Sequence, residues 1–102
     1  MSNDESAAIA MAKQLGIPYA SRENKILVMQ KNQGLNVMVP EIFAREDLVF
    51  PLFIDGGLLA VAMANPTDQA LIDRLERNSG LNIQPFIATE QELILAIDES
   101  YA

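Results

Sequence analysis

Apolar residues recur at Ala8, Met11, Ala12 and Leu15, the i, i+3, i+4, i+7 spacing of one helix face. Ser2 and Glu5 precede them in the S-x-x-E spacing of a capping box. Gly16 and Pro18 follow as stop signals, so the pattern predicts a first helix over about 4–15. Its inner face is rich in alanine and can approach a neighbour closely while burying little area. Ile26-Leu27-Val28-Met29 is an apolar run too short for periodicity to separate strand from helix. The polar stretch over 30–36, with Gly34, reads as a loop. Pro40 suits the first position of a helix. Glu41 to Asp47 continue it, with Ile42 and Phe43 inward and Glu41 near the positive end of the dipole.

Two apolar runs, Val49-Phe50-Pro51-Leu52-Phe53-Ile54 and Leu58-Leu59-Ala60-Val61-Ala62-Met63, flank Asp55-Gly56-Gly57. Asp-Gly and Gly-Gly supply the positive φ of tight hairpin turns. The pattern predicts a β-hairpin whose second strand is buried on both faces. Leu52, Ile54, Leu59 and Val61 are its expected core, and Pro51, which has no amide proton, faces an edge or a bulge. Asn65-Pro66-Thr67-Asp68 reads as a turn into a helix over about 68–78, capped by Asn65 or Thr67. Leu71, Ile72 and Leu75 form its inner stripe, and Asn78-Ser79-Gly80 closes it. Leu81, Ile83 and Ile87 alternate with polar residues and predict a third strand over about 81–88, with Ile83 and Ile87 in the core. Thr89 and Glu92 form a second capping box, and Leu93, Ile94, Ile97 and Tyr101 give the last helix its buried face. This order predicts an α+β fold of two layers. A β-hairpin plus a third strand packs against helices, with an extra N-terminal helix, in a single domain over 1–102.

Composition narrows the chemistry. Half of the 102 residues are apolar and 21% are charged, which suits a globular chain. There is no Cys, His or Trp. Disulfides, thiolate or imidazole metal sites, Cys nucleophiles and His bases are therefore excluded. Fourteen acids against seven bases give a net charge of −7, which repels a phosphate backbone and argues against nucleic acid as a partner. The longest apolar run, Leu58 to Ala64, is far short of the roughly 20 residues of a spanning helix. The N-terminus is acidic, unlike a signal peptide. The expected place is cytoplasmic, with any membrane contact made through another protein.

Glu41, Glu46 and Asp47, and Glu90, Glu92, Asp98 and Glu99, form two acidic groups that read as solvated helix faces. Asp98 and Glu99 in a final helical turn oppose the dipole. Either the helix runs on or leads to a basic linker, or the two acids are simply solvated. The Asn65–Asp68 turn reads as a capped helix start, since Asp68 would repel an anion there. Arg74 and Arg77 share a helix face, where they pair with Asp73, Glu76 or solvent, or grip a cyclic dinucleotide. Met63 reads as core. Met11, Met29 and Met38 are adaptable side chains; Met29 and Met38 flank the polar loop, where each reads as a core residue first and as a candidate docking contact second. No catalytic, cofactor-binding or metal residue is expected.

Three stretches carry a family resemblance. They are Leu15-Gly16-Ile17-Pro18-Tyr19, then Pro51-Leu52-Phe53-Ile54 through Leu59-Ala60-Val61-Ala62-Met63-Ala64-Asn65-Pro66-Thr67-Asp68, then Ile87-Ala88-Thr89-Glu90-Gln91-Glu92-Leu93 with Ala96-Ile97 and Tyr101. In this order the chain resembles the N-terminal domain of the type II secretion ATPases (the "E" component) and the related type IV pilus assembly ATPases. The stretch from Ser21 to Val39 departs most from that pattern. The resemblance implies a small α+β module that docks a hexameric bacterial motor to the cytoplasmic part of an inner-membrane assembly protein. The ATPase domain that follows in those proteins needs a G-x-x-x-x-G-K-[ST] loop, which this sequence lacks. The chain is therefore expected not to be an enzyme by itself. Some relatives bind cyclic di-GMP through repeated Arg-Leu-Gly motifs. Here Gln14-Leu15-Gly16 occurs once, without the arginine. A docking module is the leading expectation and a cyclic-dinucleotide sensor the alternative. A net charge of −7 further predicts a partner surface carrying basic residues.

Overall fold

A computed structural model describes the backbone of residues 2–101 and the side chains of residues 5–101. The elements are α1 (Ser2–Leu15), α2 (Leu35–Met38), α3 (Glu41–Asp47), β1 (Val49–Asp55), β2 (Leu58–Met63), α4 (Gln69–Ser79), β3 (Asn82–Ile87) and α5 (Glu90–Ser100). The expected α+β arrangement is observed: a three-stranded sheet in the order β1-β2-β3 with helices packed on it. The β1–β2 hairpin turns through Gly56, whose φ of 63° is open to glycine without strain. β2 and β3 run parallel, a pairing that needs a crossover, and α4 supplies it.

β2 is the centre. Successive strand residues point to opposite faces, yet Leu59 to Met63 are all buried, so both faces of β2 are covered. Leu52, Leu59, Val61 and Ile87 are buried as expected. Ile54 and Ile83 are only partly buried. They flank Leu59 in the row beside Asp55, Leu58 and Asn82, the exposed end of the sheet. On the opposite face the Phe53 and Phe86 rings meet edge to face, 6.1 Å apart, where Ala60 and Ala62 leave room.

Both sheet edges are closed. The register shifts between Pro51 and Phe53, a bulge on an edge strand, as the missing amide proton of Pro51 predicts. Beside it the Gln30 N–H donates to Leu52 O at 2.8 Å. The Gln33 amide then acts as a short false strand. Its Oε1 accepts from Ile54 N–H at 2.8 Å and its Nε2 donates to Ile54 O at 3.2 Å. On β3, the Ile83 N–H meets the Glu76 carboxylate, Pro85 has no N–H, and the Ile87 N–H donates to Pro18 O at 2.9 Å. These contacts leave little for an added strand to pair with. Gln33→Ala should cost about 1–3 kcal/mol by orphaning both Ile54 groups. A urea midpoint equal to wild type would show that water replaces the amide freely.

Several expected details differ. The segment over 26–29 is neither strand nor helix. Leu27 plugs the core from an irregular loop held by Asn24, whose side chain accepts from the Ser21 and Ile26 amides and donates to Tyr19 O. α2 is one turn that starts at the end of the predicted loop and runs past it to Met38, entered through Gly34 at φ 69°. Pro40 stands just before α3, at its N-cap. The cap of α4 is Asp68, whose carboxylate accepts from Leu71 N–H at 3.2 Å, while Asn65 folds its oxygen onto Thr67. Thr89 caps α5 as expected, but Glu92 does not close the box and accepts instead from Arg22 N–H at 2.8 Å. The Ser2 side chain of the first capping box lies outside the described residues.

Candidate functional site

Helical geometry decides which apolar side chains reach the core. At about 100° per residue, Ile42 lies opposite Ala44, the buried position of α3, and is 69% exposed, against the inward position expected for it. Phe43 is half-buried against the core as expected. On α5 the buried face is Leu93, Ala96 and Ile97, so Ile94, expected inside, turns out and is 45% exposed. Leu95, on the far side, is 37% exposed. In α1 only Ala8 and Ala12 bury, against Ile87, because α1 touches little beyond β3 and the turn that follows it; Met11 and Leu15 stay exposed. Met63 is buried, while Met29 and Met38 lie half-buried against the core rather than on an open docking surface.

The acidic groups are pulled together by arginines. Arg45 binds Glu41 at 2.9 Å and Asp98 at 2.9 Å, joining α3 to α5. Arg22 lies 3.9 Å from Glu99. Asp98 and Glu99 therefore meet cations within the fold, which offsets their unfavourable place on the helix dipole. Arg74 pairs with Asp47 at 3.0 Å and lies over the Phe43 ring, 5.4 Å from its centre. Its partner is thus on α3, not Asp73 or Glu76. Arg77 is exposed on the same helix. No cluster of metal-ligating side chains occurs among the described residues.

The two ends of α3 and α5 fix their relative direction. The Tyr101 hydroxyl donates to Val39 O ahead of α3, and Asp98 meets Arg45 near its end, so the helices run antiparallel. Burial pushes the Tyr101 hydroxyl up to about 12 from 10.0, with the Glu41 charge adding to the effect. A raised folded value stabilises the protein fully below pH 10, and that stability is lost as pH rises through about 12. Urea midpoints should therefore fall across that window. Tyr101→Phe should start lower, by about 1 kcal/mol for the lost bond, and fall less over the same window. Equal slopes in the two proteins would place the effect elsewhere.

Charge is concentrated here. α3 and α5 together hold Glu41, Glu46, Asp47, Glu90, Glu92, Asp98 and Glu99 with one base, Arg45. They carry nearly all of the chain's net −7. Shallow grooves elsewhere among the described residues include one of about 360 Å³ between α1 and the start of α5, lined by Met11, Ile87 and Thr89. Another of about 520 Å³ lies between Val28, Met29, Leu35 and Glu99. A third of about 460 Å³ lies beside Ile9, Ile17 and Tyr19. No arginine lines any of the three. Val28 and Val37 are exposed near the second. No helix among the described residues is long and apolar enough to cross a membrane.

The chain is 30% identical over 102 residues to the type IV pilus assembly ATPase PilB of Thermus thermophilus. It is 29% identical over 92 residues to PilB of Myxococcus xanthus. These matches cover 95% and 90% of this chain but span 11% and 16% of those proteins. The sequence contains no G-x-x-x-x-G-K-[ST] phosphate loop. Two solved structures of the XpsE N-terminal domain superpose with TM-scores of 0.79 and 0.81 at 19% identity, covering 93% and 97% of this chain and 64% and 67% of theirs. A structure of MshE with cdg gives 0.76 at 23% identity, covering 93% of this chain and 66% of that one. These likenesses share the fold of the expected α+β module. The family model of the MshEN domain matches residues 15–102, and the chain belongs to that family.

Proposed function

We propose that this chain is a non-catalytic docking and regulatory module of a bacterial type IV pilus assembly or type II secretion ATPase. It works as a single domain over 1–102 on the cytoplasmic side and links the motor to the cytoplasmic part of an inner-membrane assembly protein. The observation that carries the reading is the MshEN match over 15–102, in a chain that corresponds to 11% of a pilus ATPase and lacks the phosphate loop. Exposed apolar side chains on α3 and α5 support a protein contact.

One observation favours the second reading, a cyclic-dinucleotide sensor: the similar MshE structure is one with cdg. Against it stand the single Gln14-Leu15-Gly16, the pairing of Arg74 with Asp47 and the lack of arginine in the three grooves described. The chain, immobilised and exposed to extract from its source cell, should recover an inner-membrane assembly protein at low salt and less of it at high salt, as screened charge predicts. Calorimetry with cyclic di-GMP should be flat. Recovery of no such protein, with saturable cyclic di-GMP binding, would transfer the function to the sensor.

A further inference from the structure

We propose that the α3–α5 face receives a basic amphipathic helix of the partner protein, laid along the seam between the two helices; this rests on the docking reading above. The apolar anchors are Ile42 on one side of the seam and Ile94 on the other, with Leu95 beside it, all exposed. Their spacing follows from the antiparallel arrangement. Ile42 lies three residues before Arg45, and Ile94 lies four residues before Asp98, its partner across the seam. At about 1.5 Å rise per residue, the two displacements place the isoleucines about 10 Å apart along the seam. That is two helical turns, the i, i+7 spacing at which an amphipathic helix presents successive apolar side chains.

The charge of the face specifies the occupant. Glu46 and Glu90 are exposed and make no ion pair among the described residues, and Glu41 and Asp98 share a single arginine. Acids around an apolar strip complement lysine and arginine flanking an apolar stripe, and they repel an acidic helix. A second copy of this chain would bring the same negative face and is disfavoured. The closed sheet edges leave little opening for an added strand, so the contact is made by side chains.

The test uses the intact chain, followed by amide resonances. One probe is a synthetic amphipathic helix with leucines at i, i+4, i+7 and lysine flanks, and the other keeps the leucines but has glutamate flanks. The lysine peptide should bind saturably at low salt, shifting amides of α3 and α5. The double variant Ile42→Ser with Ile94→Ser should weaken it about tenfold or more, and Val28→Ser with Val37→Ser should not. As a control on folding, Glu46→Lys with Glu90→Lys, at exposed sites, should weaken it too. Binding undiminished by the isoleucine variant, equal binding of both peptides, shifts confined to the Val28–Asn36 groove, or no saturable binding would each overturn the proposal. In the extract experiment, an isoleucine variant that still recovers the inner-membrane protein leaves docking intact and removes this face from it. Failure of the wild-type chain to recover that protein removes docking itself.

Discussion

Leu59→Ala and Val61→Ala should each lower the unfolding free energy by about 2–4 kcal/mol, read as a fall in urea midpoint at unchanged slope. Both side chains are fully buried on the central strand of the sheet. β2 is held on one side by the antiparallel β1 and on the other by the parallel β3, so its backbone is poorly placed to collapse into the space left. A cavity at such a position loses both the transfer free energy of the deleted methyls and the contacts of the lining. Total stability of a domain this size is about 5–15 kcal/mol. Either variant should therefore populate unfolded chain measurably at moderate urea. Midpoints near wild type for both would mean that the strand can close around the gap.

Phe50→Ala should be more damaging still, at about 3–5 kcal/mol. Phe50 is fully buried on β1 and meets the Tyr101 ring edge to face, 6.4 Å between centres. Tyr101 in turn donates to Val39 O. Phe50 thus ties the sheet to the end of α5 and to the approach to α3, and its removal loosens three elements at once. Phe50→Leu should keep most of the apolar contact and lose the aromatic pair, a smaller cost of about 0.5–1.5 kcal/mol beyond the change in buried area. Equal loss in the two variants would point to shape, and not ring geometry, as the governing factor. A change in the slope of the Phe50→Ala transition would show that α5 comes away before the sheet unfolds.

The hairpin was legible because its signals are local. Val49 to Met63 carries two apolar runs around Gly56, and strand propensity, turn conformation and burial all depend on neighbours in sequence. The same holds for the stop at Gly16 and for the inner stripe of α4 at Leu71 and Leu75. The cap at Asp68 was not legible, because Asn65, Thr67 and Asp68 are all capable acceptors. Only the path of the chain decides which oxygen faces Leu71. The segment over 21–39 was not legible for a different reason. Its order comes from Gln30 and Gln33 on the edge of β1 and from Leu27 in the core, partners remote in sequence.

Amino-acid order alone determined the helices and strands of the hairpin, α4 and α5, the absence of a phosphate loop, Cys and His, the sign of the net charge and the family resemblance. Each follows from residue type and short-range spacing. Tertiary structure decided the parallel pairing of β3, the closure of both sheet edges, and which side chains of an apolar pair face outward. Ile42 and Phe43, or Leu93 and Ile94, are equivalent as hydrophobes; only the direction from which the sheet approaches each helix makes one core and leaves the other on the surface. The tertiary structure likewise gathered two acidic groups, remote from each other in sequence, around Arg45. Coulomb forces depend on distance in space, so a charged face becomes visible only when helices distant in the chain lie side by side.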